Sequence, residues 1–97
     1  MDRRTIAALW DAHSQTKWPK CSSPNEGQLM TLDTVIGGCV VYYLDGETAL
    51  EPQRVSILED CIVDLDTLLD ELTDDCKTYF ERARHLARML VETRQAV

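Results

Sequence analysis

GQLMTLDTVIGGCVVYYL, residues 27–44, contains a single charged residue, Asp33. Read with a helical period, Leu29, Leu32, Ile36, Cys39 or Val40, and Tyr43 fall on one stripe with apolar flanks, the pattern of a deeply buried helix. Read with a strand period, Cys39 to Leu44 is rich in β-formers and runs into Asp45-Gly46, a hairpin-turn pair. The segment that follows decides for the helix, because Glu47 to Gln53 is short, polar and interrupted by Pro52, so no second strand is available to pair. Gly46 is then the helix stop. Gly37-Gly38 costs helix propensity, about 1 kcal/mol each, which is tolerable where another helix approaches closely. A membrane span needs about 20 strongly apolar residues, and Gln28, Thr31, Asp33 and Thr34 break this one.

Upstream, Ser23-Pro24-Asn25-Glu26 reads as a helix start with a capping box, Ser capping and Glu three residues on. Trp18-Pro19 makes a corner, since the residue before proline is pushed out of helical conformation, and Trp18 is expected to fold back onto the core. A first helix begins at an Asp2 cap and presents Ile6, Leu9, Trp10 and His13 on one side. Downstream, Glu51-Pro52 opens a third helix whose Val55, Leu58, Ile62, Leu65, Leu69 and Leu72 alternate three and four apart, with Glu59, Asp60, Asp64, Asp66, Asp70 and Glu71 between them. Thr73-Asp74-Asp75 reads as a cap with acids in the first turn of a fourth helix. Its apolar face is Tyr79, Phe80, Ala83, Leu86, Ala87, Leu90 and Val91. The absence of glycine or proline between the third and fourth helices leaves one long bent helix as an alternative. The expected fold is therefore all-α, a four-helix bundle-like single domain over 1–97, with helices at about 3–15, 24–45, 52–72 and 74–94 and the second one central.

At 97 residues, 44% hydrophobic and 28% charged, the chain can bury one core without metal or disulfide help. A net charge of −7 argues against binding nucleic acid, where Lys and Arg supply most of the affinity. The charge is uneven: Asp45 to Asp75 holds eleven acids against Arg54, whereas Cys76 to Val97 holds five bases against two acids. An acidic and a basic helix can lie side by side or pair across a dimer. The start of the chain lacks the apolar core of a signal peptide, which makes the cytoplasm the expected location. There Cys21, Cys39, Cys61 and Cys76, with no Cys-x-x-Cys pair, are expected to be free thiols, a two-disulfide secreted domain being the alternative. Cys39 and Cys61 should act as small hydrophobes. Cys21, beside Lys20 and just before a helix start, is the candidate reactive thiol.

Chemistry-bearing patterns are sparse. Ile62-Val63-Asp64-Leu65-Asp66-Thr67-Leu68 resembles the nucleophile motif of haloacid dehalogenase-like phosphatases. That resemblance implies a strand leading into a nucleophilic Asp64, an acid–base Asp66 and nearby magnesium. Thr67 comes one position early and the same residues fit the helical repeat, so an acidic helix surface is the reading preferred. The acids of that surface lack the spacing and glycine of an EF-hand loop. His13 and His85 lack the Glu-x-x-His spacing of a di-iron bundle. His13, on an apolar stripe, and Asp33, the lone charge of its helix, form a candidate buried polar site, with Arg3, Arg4, a tryptophan N–H or a tyrosine hydroxyl as partners for Asp33.

Together these features point to a small cytoplasmic interaction or assembly module, with no cofactor and no catalytic signature. Its partner would be a copy of itself or another protein, neither nucleic acid nor membrane. Leu58, Leu65, Tyr79, Phe80 and Leu86 are the expected packing and interface residues. The alternative is a bundle that binds a small ligand or metal through Asp33, His13 and nearby tyrosines.

Overall fold

The computed structural model describes residues 3–19, 21, 23–46 and 49–93. Four helices form in the expected order: α1 (Arg3–Gln15), α2 (Glu26–Asp45), α3 (Pro52–Leu68) and α4 (Asp74–Glu92), with a single 3₁₀ turn, Leu69–Glu71, between the last two. The described residues contain no strand, so residues 39–44 are helical. The Asp2 cap expected for α1 lies outside the described residues.

The boundaries show where local chemistry departs from the sequence reading. The capping box at Ser23 does not form. Ser23 Oγ accepts the Asn25 backbone N–H at 3.0 Å, so the hydroxyl is spent inside a turn and α2 begins two residues late, at Glu26. Asn25 takes the N-cap position without a side-chain cap bond. At the other end, Gly46 stops α2 in extended conformation and not in the left-handed region, its N–H reaching the Tyr42 and Tyr43 carbonyls. α3 and α4 are separate. After Leu68 the chain tightens into the 3₁₀ turn and then extends through Leu72 and Thr73, with Leu68, Leu69 and Leu72 all kept in the core. Asp74 opens α4 at a φ of 53°, a left-handed conformation that a short polar residue tolerates.

One core joins all four helices, and its largest fully buried side chains include Phe80, Ile6, Leu29, Ile36, Leu58, Leu65 and Leu86. The expected central helix α2 shares that place with α4: each packs against the other three helices, α4 the more extensively. The stripe expected of α2, Leu29, Leu32, Ile36, Cys39, Val40 and Tyr43, is buried, and the opposite side of that helix is exposed. Gly37 and Gly38 divide accordingly. A Cβ on Gly37 would lie 3.0 Å from Trp10 Cη2, so the Trp10 ring of α1 packs onto α2 there more tightly than a Cβ ordinarily sits. A Cβ on Gly38 would meet nothing within 4 Å.

Candidate functional site

Three features are candidates for function: a polar cluster where α1, α2 and α4 meet, the cysteine pair beside it, and the outward side of α2.

The cluster brings His13 and Asp33 together. Arg82 Nε donates to His13 Nδ1 at 3.1 Å, which leaves His13 Nε2 to carry its proton and donate to Asp33 Oδ1 at 3.0 Å. The Tyr79 hydroxyl donates to Asp33 Oδ2 at 2.8 Å, and Arg82 Nη2 donates to Thr16 Oγ1 at 3.1 Å. Of the partners foreseen for Asp33, a tyrosine hydroxyl serves; His13 and Arg82 were not foreseen as parts of one chain of bonds, because the 69 residues that separate them close only in the fold. Burial, then the bond to Asp33, push the Tyr79 phenol well above the usual tyrosine range, so it stays a donor. Both ring nitrogens of His13 are occupied, and no buried side-chain polar atom among the described residues lacks a partner. The cluster is therefore a clasp across three helices, each of its polar side chains bonded to a neighbour. Beside it opens a shallow cleft of about 560 Å³ lined by Trp18, Thr78, Tyr79 and Arg82 among others. Trp18 folds back only partly: its ring meets Tyr79 and Phe80 edge-on while 40% of the residue remains exposed.

Cys21 is not a free thiol. It is joined to Cys76, which ties the segment between α1 and α2 to the first turn of α4. The two cysteines are far apart in sequence, and nothing local signals the pairing; the corner at Trp18-Pro19 turns the chain back over α4 and brings them together. Cys39 and Cys61 are free and buried, as small hydrophobes are. Burial raises both thiols above their ordinary value, and Cys61, with Cys39, Asp64 and Asp60 near it, reaches about 11.

The phosphatase-like motif sits on a helix, not on a strand. Asp64 is exposed on α3, while Asp66 accepts from Arg84 at 2.7 Å and lies 3.9 Å from Arg88. The acidic and basic helices thus pair within one chain. Among the described residues no three His, Cys, Asp or Glu side chains converge on a point where a metal ion could sit.

The structure buries Leu58, Leu65, Phe80 and Leu86 completely and leaves Tyr79 only 7% exposed, so these residues pack the core of a single chain. Exposed apolar surface is found elsewhere, on α2. Gly27, Met30, Thr31, Thr34, Gly38, Val41 and Tyr42 lie on its outward side, with Met30, Val41 and Tyr42 each more than 40% exposed. Between Gly27 and Tyr42 this side carries no charge, because Asp33 is turned inward to the clasp. Arg54 of α3 stacks on the Tyr42 ring at 3.6 Å, and the Tyr42 hydroxyl bonds Glu51. Ile57, one turn beyond Arg54 on α3, is also 40% exposed. The sequence did hold the signal, an uncharged helix with threonines and glycines spaced along the side opposite its leucines.

Comparison with known protein families, with characterised proteins and with solved structures finds no match.

Proposed function

We propose that this protein is a small helical interaction module that acts by packing one helix face against another protein surface, and that the face is the outward side of α2. The observation that carries this reading is an uncharged, partly apolar helix side left exposed on a chain of net charge −7. Charged residues are the usual dressing of a solvent-facing helix side, and their depletion is the compositional mark of interface centres. The clasp supports the reading indirectly, since by turning Asp33 inward it keeps the only charge of residues 27–44 off that side. A ligand-binding bundle built on Asp33 and His13 is the weaker reading, because their polar atoms are already taken by neighbouring side chains.

We place the module in the cytoplasm on sequence grounds. No helix of the described residues is long and apolar enough to cross a membrane. In the cytoplasm the thiol pool would open the Cys21–Cys76 disulfide of the structure, an observation that weighs against that placement. Alkylation after acid quench should then label four cysteines per chain; labelling of only two would move the protein to an oxidising compartment.

The reading is tested by a photo-crosslinking residue placed at Thr34, the middle of the face, and separately at Val63 on the outer side of α3. Adducts from position 34 with few or none from 63 are expected. Adducts from 63 alone, or from neither position, would contradict it.

A further inference from the structure

Resting on that reading, we infer that the occupant of the α2 face is a second copy of this chain, packed antiparallel about a two-fold axis at Thr34. A two-fold interface must fit itself, so each protrusion needs a recess at the mirrored position. Reflection about Thr34 brings Met30 opposite Gly38 and Val41 opposite Gly27. Met30 and Val41 are exposed, and a Cβ on either glycine would meet nothing within 4 Å, so both recesses are open in the single chain. A parallel pair would instead set Met30 on Met30 and glycine on glycine, with protrusions colliding and recesses left empty.

Charge favours the same orientation. α3 runs back along α2, with Arg54 over Tyr42 near one end of the face and Glu71 bonded to Asn25 at 2.9 Å at the other. Antiparallel pairing brings Arg54 of each copy toward the Glu26 and Glu71 end of the other, and sets each α2 N-terminus beside a C-terminus. The net charge of −7 opposes association. Contact through the α2 corner keeps Asp60 and Asp64 of α3 at the rim, where salt near 0.15 M screens charges beyond about 8 Å.

From Gly27 to Val41 the face is about 21 Å long and about one helix diameter, 10–12 Å, wide. Such a contact falls in the small class of interfaces, below about 1,200 Å² in total, so the dimer is reversible, with dissociation in the range of about 10 μM to 1 mM.

Sedimentation velocity over that range, in about 0.15 M salt, should show a monomer–dimer equilibrium in the wild type. Gly38→Glu fills the recess that takes Met30 of the other copy and sets a charge against that apolar side chain; it should weaken association at least about tenfold while the melting temperature stays at or above that of the wild type. Thr34→Cys, whose side chain would meet its own copy, should cross-link on mild oxidation, and Val63→Cys should not. A chain that remains monomeric to about 1 mM, a Gly38→Glu variant that dimerises like the wild type, or a Thr34→Cys variant that fails to cross-link would each overturn self-pairing. The photo-crosslinking above separates the two claims: a position-34 adduct of a mass other than twice the chain keeps the interaction reading and overturns the second copy, and no adduct overturns both.

Discussion

Asp33 is the residue on which the clasp depends. It accepts from His13 and Tyr79, two groups on different helices, and each bond to an ionised acceptor stabilises more than a neutral one. Removing the carboxylate leaves a buried imidazole N–H and a buried phenol without an acceptor. Asp33→Ala should therefore cost about 2–3 kcal/mol in a urea titration, and Tyr79→Phe, which removes one donor and leaves Asp33 its other bond, about 1 kcal/mol. Equal losses in the two variants would show that the cluster does not act as a chain of bonds. Cys61 carries a pH effect with a defined sign. Its folded value of about 11 lies above the ordinary 9.0, so its contribution is whole below pH 9, where the thiol is protonated in folded and unfolded chains alike. It is lost as pH rises from 9 toward 11, because the unfolded thiol ionises first. At pH 8 the same shift leaves about 0.1% thiolate against about 10% for an ordinary thiol, so alkylation of Cys61 should be about 100-fold slower than that of a free peptide thiol. Labelling of native Cys61 at the peptide rate would show that it is not held among the core side chains.

At the scale of elements, adjacent glycines have opposite roles. Gly37→Ala sets a Cβ 3.0 Å from the Trp10 ring, which must give by a few tenths of an ångström, whereas Gly38→Ala adds a methyl to open space and removes glycine's backbone freedom. The first should destabilise by about 1–3 kcal/mol and the second stabilise by about 0.5–1 kcal/mol, so the two melting temperatures should move apart in opposite directions. The Cys21–Cys76 bond acts on a longer segment. It closes 55 residues of chain, and on loop entropy alone its reduction should cost about 4 kcal/mol. Trp18, packed edge-on against Tyr79 and Phe80, should report the release as a red shift of its emission. An unchanged midpoint after reduction would mean the segment is held by packing alone.

These elements also show what could be read from the sequence. The helices were legible because period, turn residues and the prolines Pro19, Pro24 and Pro52 agreed, and the clasp was half legible because a single acid in an apolar helix demands a partner. Arg82 and Cys76 were not, because their partners are fixed by how α1 and the Trp18 corner return over α4, a property of packing and not of local pattern. For α2 the lack of charge reads as burial, which holds for its leucine side, while its opposite side is exposed although it carries no charge between Gly27 and Tyr42.

For the molecule as a whole, the seam that looked like an interface, Leu58 and Leu65 with Tyr79, Phe80 and Leu86, is used up inside one chain. Opposite charges on α3 and α4 are satisfied in the same way, through Asp66, Arg84 and Arg88. Outward among the described residues lie an acidic side of α3, with Ile57 and Val63 exposed between its charges, and the uncharged side of α2, which offers a longer apolar contact with no charge to desolvate. The most direct measurement is an amide-resolved dilution series by NMR, from about 1 mM to about 20 μM. Shifts confined to Gly27, Met30, Thr31, Thr34, Gly38 and Val41, with a still outer side of α3 around Asp60 and Asp64, are the expected result; shifts centred on α3 or α4, or none at any concentration, would contradict self-pairing through α2.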